Sequence, residues 1–259
     1  MNAYLLSPEN IRELRKFCQK KTLFAFDYDG TLAPICPNPD EAHLSPVNKK
    51  LLLELSSLCA TAIITGRAVD DVRRFLPMEP SFLVGNHGAE GTQTREEQQR
   101  MEEHCWIWKK RMETVSPILK DLGVTMEDKS LSLTFHYRHS PDPEVAEGVL
   151  EFLLSTLPDC RITKGKFVFN VLPEISLDKG VALELLMKRH GFESAVYFGD
   201  DVTDEDVFEA KIPGVMSVKI GQGKTRAKYF LQAQYEMSLV LKELVQELRK
   251  GSGSDPGCR

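Results

Sequence analysis

The sequence lacks the patterns that would assign it directly to several common classes of protein. Its six cysteines among 259 residues include no C-x-x-C pair, which argues against a zinc site and a disulfide framework. It has no basic block, and 33 Lys and Arg against 38 Asp and Glu give a net charge of -5. Nucleic acid is therefore not an expected partner.

Long apolar runs are also missing from the sequence. None approaches the roughly 18 residues that a membrane-spanning helix needs, and the first residues do not resemble a secretory signal. We therefore expect no membrane partner, a cytoplasmic location and a monomer.

Short apolar runs alternate with helical patterns in the first and last parts of the chain. This order predicts an α/β fold in which helices cover both faces of a parallel sheet. The middle segment contains a stretch at 131–138 that alternates between apolar and polar residues, which indicates a sheet with one wet face. We therefore expect core domain parts at 1–90 and 178–250, an α+β insert at 91–177 that would form a lid, and a flexible tail at 251–259.

Two acidic residues, Asp27 and Asp29, follow the apolar run Leu23-Phe24-Ala25-Phe26 and precede Gly30-Thr31. An Asp-Gly turn explains this pattern without any function. A calcium loop also begins D-x-D-G, but its twelfth position requires Glu and is Asn38 here. In the third interpretation, one aspartate attacks phosphorus and the other exchanges protons with the leaving oxygen and with water.

A second acidic cluster, Asp200, Asp201 and Asp204, follows the apolar run Ala195-Val196-Tyr197-Phe198. Acidic residues are common at the start of a helix, which is the simplest explanation. Adjacent carboxylates at the end of a strand repel each other unless a cation compensates. Mg²⁺ prefers such oxygen ligands, so the sequence predicts Asp200 as a metal ligand, supported or supplemented by Asp201 and Asp204.

Two further residues could neutralise a phosphate among these acids. Thr65 follows the run Ala62-Ile63-Ile64 and offers a hydroxyl. Lys179 lies at the predicted start of a helix, where the helix dipole already favours anions. A lone Thr is usually a helix cap and a lone Lys a surface charge, but together they fit one phosphate site.

These pieces together resemble the haloacid dehalogenase superfamily, and specifically the trehalose-6-phosphate phosphatase family. The resemblance covers nearly the whole chain. The motifs that carry it are Asp27-Tyr28-Asp29-Gly30-Thr31, Thr65-Gly66-Arg67, Gly85-Asn86-His87-Gly88-Ala89-Glu90, Phe135-His136-Tyr137-Arg138, Gly165-Lys166, Asp178-Lys179-Gly180, Gly199-Asp200-Asp201 with Thr203-Asp204-Glu205, and Val218-Lys219-Ile220-Gly221.

The resemblance implies a Rossmann-like core with an inserted α+β cap, and a phosphatase that depends on Mg²⁺. It implies that Asp27 is the nucleophile and Asp29 the general acid and base, and that Thr65 and Lys179 bind the phosphoryl group. Mg²⁺ would be bound by Asp27, the backbone carbonyl of Asp29, and Asp200. The residues expected to contact substrate are Gly66, Arg67, Asn86, His87, Arg138, Lys166 and Asn170.

The part of the cap that reads the sugar departs from the family pattern. Asn170 stands where the family has a Glu that binds sugar, and Leu172 replaces an Arg. We expect hydrolysis of trehalose 6-phosphate. The alternatives are a phosphatase for another phosphorylated glycoside, of the glucosylglycerol or glucosylglycerate phosphate type, and a sugar-phosphate sensor without catalysis.

Overall fold

The computed structural model describes residues 2–252, and these form two compact units. The larger unit extends to Thr92 and resumes at Asp178, while the smaller unit is Gln93–Leu177. The insert predicted at 91–177 therefore differs from the smaller unit by two residues at its first boundary.

The secondary structure of the described residues alternates between strands and helices at both ends of the chain. The strands are β1 (Ala3–Tyr4), β2 (Thr22–Phe26), β3 (Ala60–Ile64), β4 (Phe82–Val84), β5 (Thr125–Asp128), β6 (Leu133–His136), β7 (Cys160–Gly165), β8 (Val168–Pro173), β9 (Ser194–Gly199), β10 (Val215–Ile220) and β11 (Tyr229–Leu231). The α-helices are α1 (Pro8–Arg15), α2 (Pro46–Leu58), α3 (Val69–Arg73), α4 (Arg95–Thr114), α5 (Ser116–Asp121), α6 (Pro143–Ser155), α7 (Lys179–His190), α8 (Glu205–Glu209) and α9 (Met237–Ser252).

The larger unit is built on a seven-stranded sheet in the order β1-β11-β10-β9-β2-β3-β4, in which neighbouring strands are parallel. The side chains of β2 alternate between two apolar clusters, one on each face of the sheet. Phe24 and Phe26 pack with residues of α2 and α9, whereas Leu23 and Ala25 pack with residues of α7 and α8. Because both faces of β2 are covered, the strand is apolar throughout.

Local signals explain where α7 begins and ends. The side chain of Asp178 accepts a hydrogen bond from the backbone N–H of Val181, which caps the first turn. The helix ends at His190, and the next residue, Gly191, has a φ of 69° in the left-handed region that glycine adopts without strain. Lys179 is thereby fixed as the first residue of the helix.

The smaller unit has a four-stranded antiparallel sheet in the order β5-β6-β8-β7. One face packs against the helices α4, α5 and α6, with Leu133, Phe135, Phe169 and Val171 in a common core with residues of these helices. Because side chains alternate along a strand, Asn170 points to the opposite face.

The last helix corrects the predicted start of the tail. α9 continues through Ser252, so Gly251 and Ser252 are helical rather than part of a flexible tail. Apolar residues of α9 up to Leu248 pack into the core of the larger unit. No proline, which would stop a helix, occurs in the sequence between Met237 and Pro256. The rest of the predicted tail, 253–259, lies outside the described residues.

Within the described part of the chain, no helix is long and apolar enough to cross a membrane.

Candidate active site

Three predicted site residues follow neighbouring strands of the parallel sheet. Asp27 comes directly after β2, Thr65 after β3 and Asp200 after β9. Because β2 pairs in parallel with both β3 and β9, the three residues lie at the carboxyl edge of the sheet. This edge is where open α/β sheets bind their ligands.

Lys179 links two buried carboxylates at this edge. Its Nζ atom donates hydrogen bonds to Oδ1 of Asp27 at 2.9 Å and to Oδ1 of Asp204 at 2.7 Å. The side chain of Lys179 is only 2% exposed. Burial works to lower the pKa of Lys179, but the charges of Asp204 and Asp27 outweigh it and raise the pKa. Lys179 therefore stays protonated, and its positive charge lies next to the carboxylate of Asp27.

Asp204 is itself held by three hydrogen-bond donors. Besides Lys179, the hydroxyl of Tyr197 donates to Oδ1 at 2.7 Å and the backbone N–H of Asp201 donates to Oδ2 at 2.9 Å. Asp204 is completely buried, whereas Asp201 is exposed. A buried carboxylate with several donors is fixed in position, so Asp204 orients Lys179 toward Asp27.

The carboxylates of Asp27, Asp200 and Asp204 form a cluster that could hold a metal ion. Each offers one oxygen, and these oxygens lie within 4.8 Å of one another. Burial, followed by the charge of Asp204, raises the pKa of Asp200 to about 7. Burial also raises the pKa of Asp27 well above its usual value, although Lys179 opposes this and the other carboxylates add to it. A divalent cation would relieve this repulsion.

The three carboxylates do not offer equal room for a metal. Oδ1 of Asp204 already accepts from Lys179 and from Tyr197, and its Oδ2 accepts from Asp201. Because a carboxylate oxygen accepts about two hydrogen bonds, Asp204 has less capacity left than Asp27 or Asp200. An all-oxygen donor set of this kind suits a hard cation such as Mg²⁺.

Asp200 is positioned by contacts on both its side chain and its backbone. Oγ1 of Thr31 donates to Oδ1 of Asp200 at 3.3 Å, and Nζ of Lys219 donates to the backbone carbonyl of Asp200. Gly30 allows this arrangement because a Cβ atom there would lie 2.0 Å from Oδ2 of Asp200. Gly30 and Thr31 therefore both help to position the side chain of Asp200.

The hydroxyl of Thr65 lies among backbone contacts that orient it. Oγ1 accepts a hydrogen bond from the backbone N–H of Arg67 at 3.2 Å, and the carbonyl of Thr65 accepts from the N–H of His87 at 2.9 Å. Thr65 is 1% exposed. The oxygen can therefore still use its own proton to donate to a ligand.

The loop after β4 brings Asn86 and His87 against this turn. Both residues have positive φ, 49° and 57°, a conformation that costs about 1–3 kcal/mol and is concentrated at functional sites. A Cβ atom at Gly66 would lie 2.4 Å from Cε1 of His87, so Gly66 gives the imidazole its room. Nδ2 of Asn86 donates to Oε2 of Glu90 at 3.0 Å, and Asn86 is completely buried.

Asp29 and Arg67 form a bidentate ion pair. Nε of Arg67 donates to Oδ2 of Asp29 at 2.7 Å, and Nη2 donates to Oδ1 at 2.7 Å. Burial opposes the charge of Arg67, but the hydrogen bonds and charge of Asp29 outweigh it and raise the pKa of Arg67. The sequence predicted Arg67 as a substrate-binding residue. In the structure, its guanidinium group forms hydrogen bonds with Asp29.

The remaining predicted substrate contacts belong to the smaller unit. Asn170 lies within β8, between Thr134 of β6 and Thr163 of β7 in the register of the sheet. Oγ1 of Thr134 donates to Oδ1 of Asn170 at 2.9 Å. Arg138 and Lys166 are exposed, and the guanidinium of Arg138 lies 5.9 Å from the ring centre of Phe167. Thr134, Thr163 and Asn170 are cross-strand neighbours in the sheet, while Arg138 follows β6 and Lys166 lies in the β7–β8 turn.

Comparison with known proteins identifies the family. The family model described as trehalose-phosphatase matches residues 25–234. The chain belongs to the trehalose-phosphatase family. Trehalose-phosphate phosphatase B of Arabidopsis thaliana is 31% identical over 91% of this chain and 69% of its own length. Probable trehalose-phosphate phosphatase D of the same plant is 33% identical over 92% of this chain and 70% of its own length.

Solved structures agree with this placement. A trehalose-6-phosphate phosphatase related protein has a TM-score of 0.72 and 26% identity, and the match covers 90% of this chain and 100% of that one. The C-terminal domain of the C. albicans trehalose-6-phosphate phosphatase has a TM-score of 0.71 at 24% identity, covering 95% and 99%, and supports the fold alone. The predicted family, fold class and enzyme class, a phosphoric monoester hydrolase, are confirmed.

Sequence reasoning missed three contributions to this family site. The sequence predicted Tyr197 as a strand residue and cited Lys219 only within a family motif, yet Tyr197 donates a hydrogen bond to Asp204 and Lys219 donates to the backbone carbonyl of Asp200. A signal for Tyr197 existed, because a buried tyrosine hydroxyl usually requires a partner. No pattern in the sequence indicated that Arg67 pairs with Asp29, since the two are 38 positions apart.

Proposed function

We propose that the protein hydrolyses trehalose 6-phosphate to trehalose and inorganic phosphate, in a Mg²⁺-dependent reaction that passes through an aspartyl-phosphate. The mechanism is inferred mainly from the position of Asp27. This residue lies at the carboxyl edge of the sheet, and Nζ of Lys179 lies 2.9 Å from its Oδ1. The choice of substrate rests on membership of the trehalose-phosphatase family and on the names of the relatives.

The donor set fits Mg²⁺. Asp27, Asp200 and the backbone carbonyl of Asp29 would hold the ion, with Asp204 bound to Lys179 as described above. When bound, Mg²⁺ supplies positive charge to the phosphate oxygens, which carry most of the charge in phosphoryl transfer.

In the first step, a carboxylate oxygen of Asp27 forms a bond to phosphorus, and the bond from phosphorus to the sugar oxygen breaks. For this step Asp29 enters in its protonated form, and it gives that proton to the sugar oxygen, which leaves as a hydroxyl group. Lys179 and the hydroxyl of Thr65 donate to the phosphoryl oxygens, and removing a stabiliser of this kind typically costs about 3–4 kcal/mol of barrier.

In the second step, Asp29 takes a proton from water, and the water oxygen forms a bond to phosphorus. The bond between phosphorus and Asp27 breaks, which releases phosphate and restores both aspartates to their starting forms. The two carboxylates have different surroundings, because Asp27 accepts a hydrogen bond from Lys179 while Asp29 is paired with Arg67.

Substrate contacts are assigned by position in the family motifs. We propose that Gly66, Asn86 and His87 shape the site around the phosphate, since they pack beside Thr65. Arg138, Lys166 and Asn170 would contact the sugar. A cytoplasmic location and a monomeric state complete the proposal.

Phosphate release from a panel of compounds tests this function. The panel contains trehalose 6-phosphate, glucose 6-phosphate, sucrose 6-phosphate and glucosylglycerol and glucosylglycerate phosphates, each with Mg²⁺ and with EDTA. We expect turnover of trehalose 6-phosphate with Mg²⁺ and loss of turnover with EDTA. No turnover of any compound would contradict an enzyme, and preference for a glycerol or glycerate compound would contradict the substrate.

The nucleophile is tested with a matched pair of variants. Asp27→Asn should abolish turnover while circular dichroism shows an unchanged fold. Asp70→Asn makes the same chemical change at a side chain that is 93% exposed, and should retain full activity. Substantial turnover by Asp27→Asn would be incompatible with covalent catalysis by Asp27.

A further inference from the structure

Glu90 joins two loops of the candidate site that are separate in the sequence. One is the β3 turn, residues 65–68, and the other is the β4 loop, residues 85–90. A single carboxylate oxygen of Glu90, Oε2, accepts from the backbone N–H of Val69 at 2.8 Å and from Nδ2 of Asn86 at 3.0 Å. Because Val69 directly follows the β3 turn and begins α3, the carboxylate connects that turn to the β4 loop.

The hydrogen bond to Val69 supplies a helix cap that the local sequence lacks. Ala68 stands at the N-cap of α3 and makes no side-chain hydrogen bond there. The first N–H groups of a helix have no acceptor within the helix and need one from outside it. Glu90 therefore caps α3 from a different loop.

The hydrogen bond to Asn86 supports a strained backbone. Asn86 and His87 both have positive φ, which persists only where the surrounding structure fixes it. The backbones of Gly85 and Glu90 also bond to each other, at 3.0 and 3.2 Å, which closes the β4 loop. A Cβ atom at Gly85 would lie 2.7 Å from Oε2 of Glu90 and 2.7 Å from N of Val69, so the loop and the turn fit closely together.

The β4 loop in turn fixes the position of the Thr65 hydroxyl. The N–H of Asn86 donates to the carbonyl of Arg67 at 2.8 Å, and the N–H of His87 donates to the carbonyl of Thr65 at 2.9 Å. The N–H of Arg67 donates to Oγ1 of Thr65 at 3.2 Å. A shift of the β4 loop would therefore move both the backbone of Thr65 and the donor that orients its hydroxyl.

We propose that Glu90 is a positioning residue, which locks the β3 turn against the β4 loop and so places the Thr65 hydroxyl for the phosphoryl group. The inference rests on the proposed role of Thr65 in binding phosphoryl oxygens. A donor is effective when it is already held where charge develops, and small displacements cost large factors in rate. Glu90 provides this placement through Val69 and Asn86 rather than by contact with the phosphate.

Three substitutions separate the geometry of Glu90 from its charge. Glu90→Ala removes both hydrogen bonds. Glu90→Asp keeps the charge but is one methylene shorter, so one oxygen no longer reaches both donors. Glu90→Gln loses the charge but keeps a carbonyl oxygen that can accept both hydrogen bonds.

Glu97→Ala is the matched control. Oε2 of Glu97 also accepts from one backbone N–H and one side chain, both of Thr94, at 2.8 and 3.0 Å, but this pair opens α4 in the smaller unit. With Mg²⁺ present, we measure kcat for p-nitrophenyl phosphate and for the sugar phosphate turned over by the wild type. Calorimetry gives the affinity for inorganic phosphate, and urea denaturation gives the stability of each variant.

We expect Glu90→Ala and Glu90→Asp to lower kcat and to weaken phosphate binding by about 10-fold to 100-fold, the usual effect of losing a hydrogen bond to a charged group. Both substrates should respond alike, because they share the phosphoryl group. Glu90→Gln should stay within a few-fold of the wild type. Glu97→Ala should lose stability yet bind phosphate as the wild type does.

Two results would overturn the proposal directly. One is wild-type kcat and phosphate affinity in a folded Glu90→Ala, and the other is a loss confined to the sugar phosphate, which would assign Glu90 to sugar recognition. A loss in Glu90→Gln with full function in Glu90→Asp would assign the effect to charge and would contradict positioning. This pair also decides the matter if Glu90→Ala fails to fold.

Phosphate binding separates this proposal from the proposed function. Calorimetry needs no turnover, so it measures the effect of Glu90 even if the wild type hydrolyses none of the compounds. In that case the proposed function fails, while weaker phosphate binding in Glu90→Asp than in Glu90→Gln would still support the positioning of the β3 turn. Equal phosphate affinity in the wild type and all three Glu90 variants would overturn the positioning role, whatever the substrate.

Discussion

The hydroxyl of Tyr197 donates a hydrogen bond to Oδ1 of Asp204 at 2.7 Å. The same oxygen accepts from Lys179, which also donates to Asp27, so the four side chains form a continuous buried chain. Burial, followed by the charge of Asp204, raises the pKa of Tyr197 well above its usual value. The phenol therefore keeps its proton and remains a donor.

Removal of this hydroxyl should weaken both stability and catalysis. Tyr197→Phe leaves Asp204 with one donor fewer, and hydrogen bonds to charged groups contribute about 1.5–3 kcal/mol. We expect the free energy of unfolding to fall by about that amount, measured by urea denaturation. Because Asp204 orients Lys179, kcat should also fall by about 10-fold, as is typical when a supporting residue is lost.

Tyr4→Phe is the matched control for Tyr197→Phe. The hydroxyl of Tyr4 also donates to a buried carboxylate, Oε1 of Glu236, at 2.7 Å, but neither residue contacts the carboxylate cluster. This variant should lose stability with kcat unchanged. Equal kcat values for the two variants would show that the Tyr197 hydroxyl has no part in catalysis.

A methyl group at Gly30 should displace Asp200. The Cβ atom of Gly30→Ala would lie 2.0 Å from Oδ2 of Asp200, at a φ of 79°. Gly221→Ala has a similar φ of 85°, but among the described residues, its own chain neighbours aside, no atom lies within 4 Å of its Cβ. Both variants should lose about 1–2 kcal/mol from the left-handed conformation, measured by thermal or urea unfolding, while only Gly30→Ala should lose phosphatase activity. Full activity of a folded Gly30→Ala would contradict the placement of Asp200 in the site.

The parts of the site that the sequence predicted share a simple property. Asp27, Thr65 and Asp200 each end a short apolar run, and parallel strands bring such ends to one edge. Lys179 opens a helix with a recognisable cap. Local patterns in the sequence therefore located these four residues, and the order of strands assembled them.

Other features depend on contacts between distant parts of the chain, which local patterns do not encode. Arg67 and Asp29 both belong to recognisable motifs, but their pairing depends on how two loops fold together. Strand β5 lies at the edge of its sheet and its residues are mostly exposed, so it lacks the apolar alternation that identified β6. The helical state of Gly251 and Ser252 follows from the packing of the preceding residues of α9 rather than from their own composition.

Mg²⁺ should stabilise the folded protein. A ligand at 100 times its dissociation constant adds about 2.7 kcal/mol, which corresponds to a rise in Tm of several degrees for a protein of this size. Asp200→Asn removes one charge from the carboxylate cluster, so its Tm should not respond to Mg²⁺. Asp70→Asn, at an exposed aspartate, should respond as the wild type does. The same Mg²⁺-dependent rise in Asp200→Asn would exclude this residue as a metal ligand.

Asn170 should influence the choice of sugar. Its carboxamide accepts a hydrogen bond from Thr134 on the neighbouring strand of the smaller unit's sheet. A carboxylate at this position would accept stronger, charge-assisted hydrogen bonds from sugar hydroxyls. Asn170→Glu should therefore change the ratio of kcat/KM between trehalose 6-phosphate and the other sugar phosphates of the panel.

Two comparisons separate this effect from damage to the fold. Turnover of p-nitrophenyl phosphate, which carries no sugar, should be the same in Asn170→Glu and in the wild type. Asn170→Gln adds the same length without the charge, so it should shift the sugar preference less than Asn170→Glu does. Equal losses on sugar and aryl substrates would mean that Asn170 does not read the sugar, and equal shifts by Gln and Glu would mean that length, not charge, decides the preference.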